Sequence, residues 1–133
     1  MNNASTLYML AFYHQGEVMQ VKRYESGKRM SQAVVYGGLG FLAGQVADDP
    51  NQDVKGQTTQ ILAKIDRLLE QIGSDKTRIL SASIWLADYK TFSEMNEIWD
   101  AWVPEGQAPA RACVESKLAF PQYTVEIAVI AAV

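Results

Sequence analysis

Apolar and polar positions along this 133-residue chain change period several times, and each change marks an element. A short strand is expected from Gln20 to Tyr24. "QAVVYGGLGFLAGQVA" then offers two apolar runs separated by glycines, the form of a β-hairpin. Its "GGLG" lacks the G-x-G-x-x-G spacing and has no Gly-Lys-Ser/Thr after it, so it reads as a turn and not a phosphate loop. "DDPNQD" breaks the pattern. Val54, Ile61, Leu62, Ile65, Leu68, Leu69 and Ile72 follow at helical spacing, with Asp53 placed to cap the start and Gly73 to end it. "ILSASIWLAD" alternates with the period of a strand. A second helix is expected to open at Thr91, where Thr-Phe-Ser-Glu has the form of a capping box with Glu94, and to end before Pro104. Its apolar stripe is Phe92, Met95, Ile98, Trp99 and Trp102. Two strands, Arg111 to Leu118 and Tyr123 to Ala132, complete the order, joined by a turn containing Pro121.

Strand, hairpin, helix, strand, helix and two strands describe an α+β domain whose two helices can cover one face of one sheet. The last strand, "YTVEIAVIAAV", is apolar on both faces: Tyr123, Val125, Ile127 and Val129 on one, Thr124, Ala128 and Ile130 beside Glu126 on the other. A face not taken by the helices needs another cover, and a further copy of the same chain supplies it, so a homo-oligomer is expected.

Composition narrows the function more than the fold. At this length one domain is expected, residues 19–133, preceded by a leader, residues 1–18, that contains no Lys or Arg. The net charge of -3, with cations scattered, supplies no basic field for nucleic acid. The apolar run Leu7 to Tyr13 is too short to span a bilayer and has no basic residues before it, so neither a membrane segment nor a signal peptide is expected. Cys113 is the only cysteine and His14 the only histidine, which excludes an internal disulfide and the usual zinc sites. A free thiol in a strand fits a reducing cytoplasm.

The chemically odd positions are Arg111 and Glu126, each set in an otherwise apolar strand. Two readings stand. The pair neutralise each other across neighbouring strands, in which case losing one partner of a buried ion pair costs about 3–5 kcal/mol. Alternatively they line a pocket where the arginine holds an anionic substrate and the glutamate handles water or protons. Cys113 shares a strand face with Arg111 but has no histidine base within the domain, so it reads as a small packing residue. Asn96 reads as a surface or helix-packing group, and Trp85, Trp99 and Trp102 as core or subunit contacts. No Ser-His-Asp set can be assembled.

"PARACVESKLAFPQYTVEIAVIAAV" resembles the C-terminal signature of the RidA (YjgF-like) family of reactive intermediate/imine deaminases, with Pro109, Arg111, Val114, Leu118, Pro121 and Val125-Glu126-Ile127 in order. The likeness continues upstream through "GFLAGQVA", "LLEQIG" and "FSEMNEIWDAWV", and "RMSQAVVY" is similar to the YoaB-like branch. It covers residues 19 to 133. The resemblance implies a chorismate-mutase-like sheet of about six strands with two helices on one face, assembled as a homotrimer with clefts between subunits. It also implies hydrolysis of 2-imino acids to 2-oxo acids and ammonia without metal or organic cofactor. Arg111 matches the arginine that clamps the substrate carboxylate, Cys113 a pocket residue, Glu126 the glutamate that positions water, and Gly44 a glycine lining the cleft.

Two polar groups of the pattern are missing. Met30 stands where archetypal members carry tyrosine, and Ala43 replaces a serine before the glycine. Arg29, next to Met30, can add charge at the mouth. The competing function is a noncatalytic module that binds a small carboxylate through the same Arg111. RNA cleavage ranks third, for want of a basic groove or a histidine pair.

Overall fold

The computed structural model describes residues 20–133. The expectations for the leader, residues 1–18, and for His14 lie outside them. Six strands form one sheet: β1 Lys22–Ser26, β2 Ser31–Tyr36, β3 Leu39–Leu42, β4 Ile79–Leu86, β5 Ala110–Glu115 and β6 Val125–Ala132. Two α-helices, α1 Val54–Gln71 and α2 Phe92–Trp102, complete the domain. The strand order is β1-β2-β3-β6-β4-β5, antiparallel throughout except for the parallel pair β4 and β5.

Local chemistry accounts for most boundaries. β2 and β3 are joined by Gly37 and Gly38, both at positive φ (60° and 79°), as a two-residue hairpin turn of the primed kind demands. Asp53 caps α1 by accepting from the Gly56 N–H at 2.9 Å. Gly73, at φ 81°, ends it, with the Gly73 N–H bonded to the Glu70 carbonyl and the Ser74 N–H to the Leu69 carbonyl. The expected capping box at Thr91 does not form. The Thr91 hydroxyl bonds back to the Asp88 carbonyl, because a 3₁₀ turn, Tyr89–Thr91, capped by Asp88, leads directly into α2. The last two strands are also shorter than their apolar runs, since Ser116–Leu118 and Tyr123–Thr124 belong to the connecting loop.

Both helices lie on one side of the sheet, as expected. The core there joins Ile61, Leu62, Ile65, Leu68 and Leu69 of α1 and Met95 and Trp99 of α2 to Ala82, Ile84, Val125, Ile127, Val129 and Ala131 of the sheet. Gln57, fully buried at the start of α1, ties two loops together, the one before α1 and the one between β5 and β6. Its Nε2 donates to the carbonyls of Pro50, Gln52 and Gln122, and its Oε1 accepts from the Thr124 N–H. The opposite face carries Val34, Phe41, Ile130, Ala128, Trp85 and Val114, and no element among the described residues covers it. Phe41 is 42% and Val114 53% exposed.

Candidate active site

Arg111 stands on the edge strand β5 in register with Ala82 of β4, which faces Val129 of β6. Residues in register share a face of a sheet. Ala82 and Val129 are buried under the helices, so Arg111 emerges at the rim on the helix side. It is exposed, not buried as its apolar strand predicts.

Helix α2 receives its side chain. Phe92, Asn96 and Trp99 recur at i, i+4 and i+7 and so form one stripe. Arg111 Nη1 donates to Asn96 Oδ1 at 2.7 Å, and the guanidinium carbon lies 5.8 Å from the Phe92 ring centre and 5.3 Å from that of Trp99. These partners are all uncharged. Among the described residues no carboxylate pairs with Arg111. A guanidinium carries five donor hydrogens in a fixed fork, so this one is oriented yet largely unspent.

Glu126 belongs to the other face. It is in register with Trp85, three positions away from the Arg111 level, and β4 separates β5 from β6. The first of the two readings, an ion pair across neighbouring strands, is therefore not seen: the two strands are not neighbours and the two side chains leave opposite faces. Burial pushes the Glu126 carboxyl above its ordinary value, and no described residue donates a hydrogen bond to it. It rests on Gly44, where an added methyl would overlap Glu126 Oε2 and lie 3.0 Å from Cδ.

Gln45 holds this contact in place. Its backbone exchanges two hydrogen bonds with Ile127, at 2.8 and 3.1 Å, and its side-chain Nε2 donates to the Ala43 carbonyl and to Gln32 Oε1, both at 2.9 Å. The segment Ala43-Gly44-Gln45 is thereby fastened onto β6 beside Glu126. Met30 lies just before β2 at the same end of the sheet, 47% exposed. Cys113 shares the Arg111 face and packs against the core. Burial raises its thiol pKa, an effect the nearby Arg111 opposes, and a thiol kept protonated suits packing more than nucleophilic attack.

The site residues thus fall into two groups, Arg111 and Cys113 at one edge, and Met30 just before β2, Ala43 and Gly44 just after β3, and Glu126 on β6. Four strand spacings separate β2 from β5, roughly 19 Å. One small substrate cannot touch both ends of a single sheet. Asn96 and Gln45 were not among the expected site residues. Asn96 had a signal, being a polar residue aligned with the apolar stripe of α2, whereas Gln45 had none that periodicity carries.

A family model described as Endoribonuclease L-PSP matches residues 21–133. The chain belongs to the YjgF/RidA family. This YjgF/RidA chain is 42% identical over 115 residues to the RutC family protein YoaB of Escherichia coli, covering 86% of this chain and all of that one. It is 41% identical to a RutC family protein of Haemophilus ducreyi, covering 85% and 97% of the two chains. Among solved structures, a YjgF family member from Neisseria meningitidis superposes with TM-score 0.84 at 44% identity, covering 86% and 96%. Another, described as a putative translation initiation inhibitor from Salmonella typhimurium, gives 0.80 at 41% identity, covering 86% and 99%. The six-stranded sheet with two helices is the fold these relatives share. Among the described residues no helix is long and apolar enough to cross a membrane, and no cluster of His, Cys, Asp and Glu is suited to a metal.

Proposed function

We propose that the protein hydrolyses reactive 2-imino acids to 2-oxo acids and ammonia, in clefts formed between copies of the chain in a homotrimer. The observation that carries this reading is Arg111, held in position by Asn96, Phe92 and Trp99 with no carboxylate among the described residues to neutralise it. A substrate carboxylate completes its hydrogen bonding in bidentate fashion. Because Glu126 leaves the opposite face, the proposed site combines Arg111 and Cys113 of one copy with Gly44, Met30 and Glu126 of a neighbour. The apolar sheet face that bears Glu126, uncovered among the described residues, supports such an assembly.

In this scheme the clamp fixes the imine carbon against a water held by Glu126. The carboxylate takes a proton from the water as the water oxygen bonds to the imine carbon and the C=N π pair moves to nitrogen, and the carboxyl then passes that proton to the nitrogen, giving the carbinolamine. The hydroxyl proton of the carbinolamine is next moved by the same carboxylate to the amine, the C–N bond breaks, and ammonia leaves as the C=O forms. A carboxyl whose pKa is raised by burial is suited to both proton transfers.

The second reading is a noncatalytic binder of small carboxylates. It is favoured by Met30 and Ala43, which bring no polar group to the half-site of Glu126. One experiment separates the two. 2-Iminopropionate is generated in situ by an amino-acid oxidase and the surviving imine trapped with semicarbazide. The expected result is a lower trapped fraction with wild-type protein and no effect from Arg111→Ala. Binding of 2-oxobutyrate without any change in trapping overturns the hydrolase in favour of the binder.

A further inference from the structure

The helix pair carries a hollow of about 330 Å³ between α1 and α2, at the small end of the range for ligand sites. Leu62 and Ala63 line it from α1, and Ile98, Ala101 and Trp102 from α2. Ala63 and Ala101 are exposed, and their small side chains leave the space open. Two charges of opposite sign stand in this apolar wall, Asp66 on α1 and Lys76 in the 3₁₀ turn before β4, and they do not pair with each other. Both meet the ring of Trp102 instead. The indole Nε1 donates to Asp66 Oδ2 at 3.0 Å, and Lys76 Nζ lies 5.5 Å from the ring centre. Asp66 Oδ1 and the three ammonium hydrogens of Lys76 have no hydrogen-bond partner among the described residues.

Unlike charges on either side of one aromatic ring select for a ligand that carries both. A simple anion in the hollow is repelled by Asp66 and a simple amine by Lys76, whereas a zwitterion satisfies the two together. The hollow also communicates with the candidate site. Trp102 packs on Trp99 with ring centres 5.4 Å apart, and Trp99 supports the Arg111 guanidinium at 5.3 Å, so an occupant leans on the ring behind the clamp.

We infer that this hollow is a second binding site, for α-amino acids with apolar side chains. The ammonium meets Asp66, the carboxylate meets Lys76, and the side chain lies against Leu62 and Ile98. Isothermal titration on Arg111→Ala, in which the carboxylate clamp is gone, compares L-leucine with 4-methylpentanoate, which lacks the ammonium, and 3-methylbutylamine, which lacks the carboxylate. Leucine is expected to bind at least tenfold more tightly than either, the effect of one charge-assisted hydrogen bond. In the same background Asp66→Asn and Lys76→Gln should each weaken leucine about tenfold, and Ala101→Leu, at an exposed position, should fill the hollow and abolish binding. No leucine binding, equal binding of the single-charge compounds, or binding that survives all three substitutions overturns the inference. The link to Arg111 rests on the clamp proposed above and is read separately in wild type. Leucine should shift the affinity for 2-oxobutyrate about fivefold, and Ala101→Leu should remove the shift. An unchanged 2-oxobutyrate affinity beside groove-dependent leucine binding keeps the amino-acid site and discards the link. Imine trapping enters neither measurement, so a failed hydrolase leaves the site standing, and an active hydrolase does not rescue it.

Discussion

Glu126 and Arg111 show how the surroundings of a side chain decide what it can do. A carboxyl raised by burial alone costs stability when ionised, and the sign follows from proton counts. Between its unfolded and its higher folded pKa the native state holds more protons, so stability falls as pH rises through that window. Glu126→Gln is therefore expected to raise the melting temperature at pH 7, with the gain vanishing below about pH 4, where both forms are neutral. Calorimetry across pH checks this, and the opposite sign at pH 7 would mean that a cation pairs with Glu126 in the assembled protein. The same substitution should lower imine hydrolysis by about a hundredfold or more, as loss of a general base does, while 2-oxobutyrate binding persists. For Arg111, the informative neighbour is Asn96. Asn96→Leu leaves the charge but frees its direction, and is expected to weaken carboxylate binding about tenfold, the loss of one charge-assisted hydrogen bond, with the fold retained.

At the level of elements, Gly44 and Gln57 are positions where the backbone and its partners set the geometry. Gly44→Ala places a methyl against the Glu126 carboxyl, which must swing away. Turnover is expected to fall at least tenfold while Arg111-dependent binding changes little, and parallel trapping and titration measure the two. Gln57→Leu strands two loop carbonyls or more and the Thr124 N–H in a dry interior, a loss of about 2–4 kcal/mol visible in urea unfolding. The helices were legible from residue spacing because α1 and α2 bury one stripe each, and Asp53 and Gly73 marked the ends of α1. Thr91 misled because a capping box in sequence does not disclose the Asp88-capped turn ahead of it. The pairing of Arg111 with Glu126 misled for a deeper reason. Periodicity reports which face a residue takes within its own strand, and says nothing of which strand lies beside it. Here β4 comes between, and the consecutive strands β5 and β6 are separated.

For the whole molecule, the sheet face that no described element covers is the surface on which the proposed assembly rests, and its chemistry says what would disturb it. A homotrimer of about three times 14.8 kDa is expected by light scattering, and Phe41→Glu, which sets a charge at the centre of that face, should shift it towards monomer. If the site is shared between copies, mixing inactive Arg111→Ala and Glu126→Gln chains by unfolding and refolding them together should restore part of the activity. No recovery would place both residues of each site in one copy. The sheet order has a further consequence, which concerns synthesis of the chain. β6 comes last of the six strands yet sits between β3 and β4, bonded to both. Until it leaves the ribosome, β1 to β3 and β4 with β5 are two unjoined pieces, each with an exposed inner edge ready to pair with the wrong partner. The nascent protein must therefore stay unfinished until its final strand closes the sheet, and a ribosome that stalls before residue 125 releases fragments destined for aggregation or chaperones.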